Sequence, residues 1–230
     1  MHAHESIRID DHCVTVEYKN IRSLRMHLDP SSQTILLRCP HDTPHETLLN
    51  FLYKHRQWMD SARERFENKI SLRSPSYEGQ SVHLYMGKPY TLILSDNLRS
   101  KIHIEKEQIF CPKRSLKERE HLMEIWYDQQ LTNIIQQRIK YWEPFIGKTV
   151  SHWSLRAMRT RWGSCTPSTA RLRFNRALIK TPFECIDCVV LHEMVHLLEA
   201  SHNHRFKALM QMHMPQWKHY DRMLNRYLLD

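Results

Sequence analysis

Hydrophobic positions change period several times along the chain. Residues 12–18, HCVTVEY, alternate apolar and polar, and QTILLRC at 33–39 is a β-rich apolar run; both read as strands. Thr43-Pro44-His45-Glu46 then combines an N-cap, a proline at the first helical position and a glutamate three residues on, which opens a helix. That helix is expected to run to about residue 68, with Leu48, Leu52, Trp58, Met59, Ala62 and Phe66 on its apolar side. Residues 82–95 read as two strands around a turn at Gly87-Lys88, followed by short strands in KIHIE and QIFCP. Ser115-Leu116-Lys117-Glu118 caps a long helix that Pro144 is expected to end. HWSLRAM (152–158) and RLRFN (171–175) read as strands around a loop holding RWGSC. Thr181-Pro182-Phe183-Glu184 opens another helix, expected to reach about 199. A short helix at 204–213 follows. Pro215 starts a last one with Trp217, Tyr220, Leu224, Tyr227 and Leu228 on one face. The residues show no internal repeat. The division of best fit is a β-rich region with one helix over 1–112 and a second region over 113–230.

Composition narrows the function classes. The chain has 230 residues, 41% of them hydrophobic, enough for a substantial core. No apolar run approaches the roughly 20 residues needed to cross a bilayer, and the opening MHAHESIRIDD lacks the apolar stretch of a signal peptide. A cytoplasmic location is the expectation, with the six cysteines reduced. The four glycines are never closer than eight residues apart, which excludes a Walker A loop and a GxGxxG fingerprint.

Chemistry concentrates in His192-Glu193-Met194-Val195-His196, an HExxH motif on the helix that starts near 182. Residues i and i+4 share a helix face, so two imidazoles can grip one metal ion. Glu193, beside the first of them, is placed to take a proton from a water that the metal activates. A catalytic zinc takes three protein ligands. His202 lies six residues after His196, and a continuous helix would turn it about 600°, away from the metal face. The helix must therefore break, roughly between 199 and 203, with Asn203 as N-cap of the next helix. His202 is preferred as third ligand. His204 and Glu199 stand as rivals.

Cys185 and Cys188 share a helical stripe with His192. However, Cys185 is about 16 Å along the helix axis from His196, so they cannot join it on one ion, and core packing is the better reading. Net charge is +9, and residues 144–183 contain no acidic residue. Basic residues at 148–180 offer a place for nucleic acid, phosphate or a nucleotide. Arg171 and Arg173, alternating on one strand, share a face. Arg161 and Arg173 are candidate anion-binding residues.

The ordered set RWGSC (161–165), RLRFNRALIKTP (171–182) and CVVLHEMVHLLEASHNHRF (188–206) resembles the YgjP-like metallopeptidase family, which is related to the SprT-like and WLM zinc proteins. The resemblance also extends weakly upstream. It implies an α+β fold with a zincin-like core, in which the HExxH helix packs on a small sheet, preceded by a mostly β N-terminal region. It implies zinc as cofactor, His192, His196 and His202 as ligands, and Glu193 as general base. Its members commonly read Asn-His-Ser around the third ligand, where this chain has Ser201-His202-Asn203. The implied activity is zinc-dependent peptide hydrolysis, with a protein or peptide as substrate. Hydrolysis of the nucleotide UTP to UMP and pyrophosphate is the alternative, and a nucleic-acid-associated zinc protein without turnover is the third reading.

Overall fold

The computed structural model describes residues 4–29, 34–67, 70–72, 76–97 and 99–229. Among these residues it is a mixed α+β structure of six α-helices and several small sheets. Two compact units divide it, residues 1–70 and 71–229. The division expected at 112/113 falls inside the second unit.

The first unit holds β1 (His4–Ile9), β2 (His12–Tyr18), β3 (Arg25–Asp29) and β4 (Thr34–Cys39) in the order β1-β2-β4-β3. Ile7, Ile9, Val14, Val16, Ile35 and Leu37 alternate inward and pack with Leu48, Leu52 and Met59. The single helix expected here is two, α1 (His45–Lys54) and α2 (Arg56–Glu67), broken at His55. The His55 ring turns back onto the Phe51 carbonyl at 2.7 Å. The Phe66 side chain and residue 68 lie outside the described residues. A two-residue strand, β5 (Ile70–Ser71), sits at the division.

The second unit opens with β6 (Val82–Tyr85), β7 (Lys88–Ser95), β8 (His103–Glu105) and β9 (Gln108–Pro112), ordered β6-β7-β9-β8. The β6–β7 turn is Met86-Gly87, one residue earlier than expected. Both four-stranded sheets have the same pairing. The first strand is antiparallel to the second, the second parallel to the fourth, and the third antiparallel to the fourth. This topology repeats although the residues do not, because it is carried by strand and turn spacing rather than by side-chain identity. The third sheet, β10 (His152–Arg156), β11 (Gly163–Thr166) and β12 (Arg171–Asn175), has the order β10-β12-β11. It keeps the parallel and the antiparallel pair but has no counterpart of the first strand. RWGSC, expected in a loop, supplies most of β11.

Helix α3 (Leu116–Ile146) begins with the expected capping box: Ser115 Oγ accepts from the Glu118 amide, and the Glu118 carboxylate accepts from the Ser115 amide. It runs two residues past Pro144. It ends at Gly147, whose left-handed conformation (φ 67°) lets its N–H reach the Glu143 carbonyl. Proline costs the helix one hydrogen bond, and the stop comes where the chain can reverse.

Helix α4 (Phe183–Val195) is the centre of the second unit. Ten of its residues are buried, as suits a helix apolar on nearly every side. Leu172 and Phe174 of β12 belong to the same core cluster as α4. Cys185 and Cys188 are buried thiols whose S–H groups point at the Tyr220 and Trp217 carbonyls, both at 3.7 Å. They join α4 to α6 (Trp217–Leu224). The Thr181 cap does not form. Its hydroxyl donates to the Leu178 carbonyl at 2.8 Å, and Pro182, with extended ψ, becomes the N-cap. Tyr227 and Leu228, expected on the last helix, form a short strand, β13 (Tyr227–Leu228). No described helix is long and apolar enough to cross a membrane.

Candidate metal centre

Helix α4 stops at Val195, so His196 is its C-cap rather than an interior residue. The break comes earlier than the spacing argument required. One further turn of chain follows, and the Leu198 and Glu199 amides both donate to Val195. Asn203 then caps α5 (His204–His213), its side chain accepting from the Phe206 amide at 3.1 Å. The segment between the two helices carries His202 back over the end of α4.

The three imidazoles meet there. His192 Nε2 is 3.2 Å from His196 Nε2 and 2.9 Å from His202 Nε2. Nitrogens held about 2.0–2.1 Å from one tetrahedral ion sit about 3.3 Å apart, so the spacing suits three ligands of a single ion. The donor chemistry agrees. Burial, with His196 and His202 alongside, pushes His192 down to about 3, which keeps its ring neutral, the ligand form. The Glu199 carbonyl lies 3.0 Å from His196 Nδ1. A proton on that nitrogen donates to the carbonyl and leaves the Nε2 lone pair free for a metal. Phe206 is buried beneath the cluster, its ring centre 4.7–4.9 Å from each imidazole. Among the described residues, His192, His196 and His202 form the one group of three or more such side chains able to hold a metal.

The rivals fall elsewhere. His204 is the first residue of α5 and is not in the group. The Glu199 carboxylate accepts from the Ser201 amide and hydroxyl, so this residue meets the site through its backbone.

Glu193 is buried against β11. A Cβ on Gly163 would lie 2.5 Å from Glu193 Oε1 and 2.8 Å from its Cγ. Glycine in RWGSC is therefore what admits the carboxylate between helix and strand. Burial pushes Glu193 up to about 8, and Arg161 pulls the other way. Arg161 sits in a loop pinned by the buried Asn175, whose amide donates to the Met158 and Arg161 carbonyls at 2.7 and 3.0 Å.

The three histidines, Glu193, Gly163 and Arg161 line one pocket of about 450 Å³, together with Val189, Trp217, Asp221 and Leu224. Arg173 does not join it. Ser164 opposes Arg173 across the β11–β12 pair, while Gly163, which touches Glu193, opposes Phe174. Partners across a ladder share a face, so Arg173 points away from α4. Asp221, whose carboxyl burial pushes up while Arg222 pulls the other way, was not foreseen. It lies nineteen residues beyond His202, on a helix whose pattern signals only amphipathicity.

The chain is similar to the metallopeptidase zymogen of Pyrococcus abyssi abylysin, at 14% identity and a TM-score of 0.37 over 40% of this chain and 93% of that one. It is also similar to the metallopeptidase zymogen of Methanocaldococcus jannaschii jannalysin, at 16% identity and a TM-score of 0.34 over 39% and 92%. No curated protein matches it. A family model described as YgjP-like, metallopeptidase domain, matches residues 22–227. That span begins after β1 and β2 and includes the histidine cluster, and the chain belongs to the YgjP-like metallopeptidase family.

Proposed function

We propose that the protein is a zinc-dependent peptidase with a zincin-like site, in which His192, His196 and His202 hold the metal and Glu193 is the general base. The observation that carries this reading is the convergence of three imidazole nitrogens beside a buried carboxylate in one pocket. Zinc bound there would supply Lewis acidity, polarising the substrate carbonyl and easing loss of a proton from water. Glu193 takes that proton and returns it to the leaving amine. Its close seat against Gly163 keeps the carboxylate from swinging away between the two transfers. Strand β11 is at a sheet edge, and its residues line the pocket. An extended peptide can add to that edge and lay a bond across the histidines. Arg161, the one arginine among the described residues that lines the pocket, is placed to hold an anionic group of the substrate. UTP hydrolysis is the weaker reading, because a triphosphate calls for several converging cations and Arg173 faces away. Six free thiols suit a reducing, cytoplasmic setting.

The test is elemental analysis joined to turnover. We expect about one zinc per chain, lost in His202→Ala and kept in His204→Ala. Glu193→Gln should keep the metal and lose at least about 100-fold in cleavage of an unfolded protein. Pyrophosphate release from UTP without peptide cleavage would overturn the peptidase reading.

A further inference from the structure

The third sheet has two unlike faces. Leu172 and Phe174 turn toward α4 and are buried. On the other face, the register places His152, Arg171 and Thr166 in one row and Ser154, Arg173 and Ser164 in the next, with Arg156 at the end of β10. His152, Arg156, Arg171 and Arg173 are all exposed. No carboxylate lies on any of these strands, since residues 144–183 contain none. Some arginines elsewhere in the unit are paired with carboxylates, Arg138 with Asp187 and Arg176 with Asp128. Among the described residues Arg156, Arg171 and Arg173 have no acidic partner.

We propose that this face binds single-stranded nucleic acid along its phosphate backbone. Arginine with serine and threonine hydroxyls is the donor set that meets phosphate oxygens. Here each row puts a hydroxyl one strand away from a guanidinium, about 4.8 Å. The two rows repeat about 6.7 Å apart along β12, a periodic array that suits a polymer of evenly spaced charges. No apolar side chain of the register-matched rows stands on this face to anchor an acidic peptide. The sheet is three strands, about 10 Å, across and is open rather than ridged. It therefore offers a floor for one strand and no element to enter a duplex groove. The two rows stand on the face away from α4, and of their residues only Ser164 also lines the metal pocket.

The experiment is fluorescence anisotropy of a labelled mixed-sequence DNA 20-mer, titrated with zinc-loaded protein over a range of salt. The wild type should bind with a log–log salt slope of about −2, as three phosphate contacts give. Arg171→Glu/Arg173→Glu should weaken binding at least about tenfold at 0.1 M salt and flatten the slope to about −0.7 or less. Lys117→Glu/Lys207→Glu, the same charge change at exposed sites off this sheet, should bind like the wild type. Zinc content and circular dichroism of both variants establish that they are folded. Absence of wild-type binding, an equal loss in the lysine variant, equal affinity for the matching duplex, or tighter capture of a polyglutamate peptide would each overturn the proposal.

Discussion

At the residue scale, the site depends on an atom that is missing. Glu193 sits where a Gly163 Cβ would be. Gly163→Ala should therefore displace the carboxylate while sparing the histidines. We expect turnover to fall about 10–100-fold, in line with about 1–3 kcal/mol of overpacking, with zinc content unchanged. Loss of zinc in this variant would mean that strand and ligands are coupled more tightly than the contact shows. Much at this scale was legible from spacing alone. His192 and His196 had to share a face, and the turn count already disfavoured a continuous helix to His202. The arginines were harder. Alternation puts Arg171 and Arg173 on the same side of β12, but which side α4 covers is decided by Leu172 and Phe174 packing in a core assembled from distant segments.

At the element scale, α4 is held by a buried ionic contact as well as by its apolar surface. The Asp187 carboxylate accepts from Arg138 Nε at 2.7 Å, from Arg138 Nη2 at 3.0 Å and from Trp142 Nε1 at 2.6 Å, tying α4 to α3. Asp187→Ala would strand a cation and an indole N–H. It should cost about 3–5 kcal/mol in urea unfolding, and Arg138→Met/Asp187→Leu should recover part of that loss. A destabilisation below about 1 kcal/mol would mean that water takes over the carboxylate's role. The helix starts show what local sequence leaves undecided. Ser115 caps as its motif foretold, while both Thr-Pro-x-Glu motifs fail in the same way. Thr43 and Thr181 each donate to the carbonyl three residues back, at 2.9 and 2.8 Å, and each proline becomes the N-cap. A residue before proline is pushed out of the helical region, and here the proline itself stays extended, so the start shifts by one.

At the scale of the whole molecule, two sheets of like topology and a third that keeps part of it account for most of the β structure. Pairing across tens of residues decides that arrangement, and no short motif announces it. A second global property is acid sensitivity. His83 is 2% exposed, and burial, with Lys180 adding to it, pushes its pKa down to about 4. Between the ordinary histidine value near 6.5 and about 4, the unfolded chain binds a proton that the folded chain refuses. Stability therefore rises with pH across that window and is lost as pH falls through it. His83→Gln, which can keep a bond to Ser81, should flatten the dependence of the urea midpoint on pH in that window. Parallel curves for the two proteins would assign the acid limb to other groups.

The early end of α4 has a kinetic consequence. Two of the three imidazoles belong to the helix and its cap, and the third lies six residues beyond the cap, on a segment held by a few backbone bonds. Local opening of that segment needs no unfolding of the core. Release of zinc to a chelator should then keep pace with hydrogen exchange at the Leu197, Leu198 and Glu199 amides, and run far ahead of exchange at Val190 and Leu191. The residence time of the metal would be written in one frayed turn rather than in the stability of the fold.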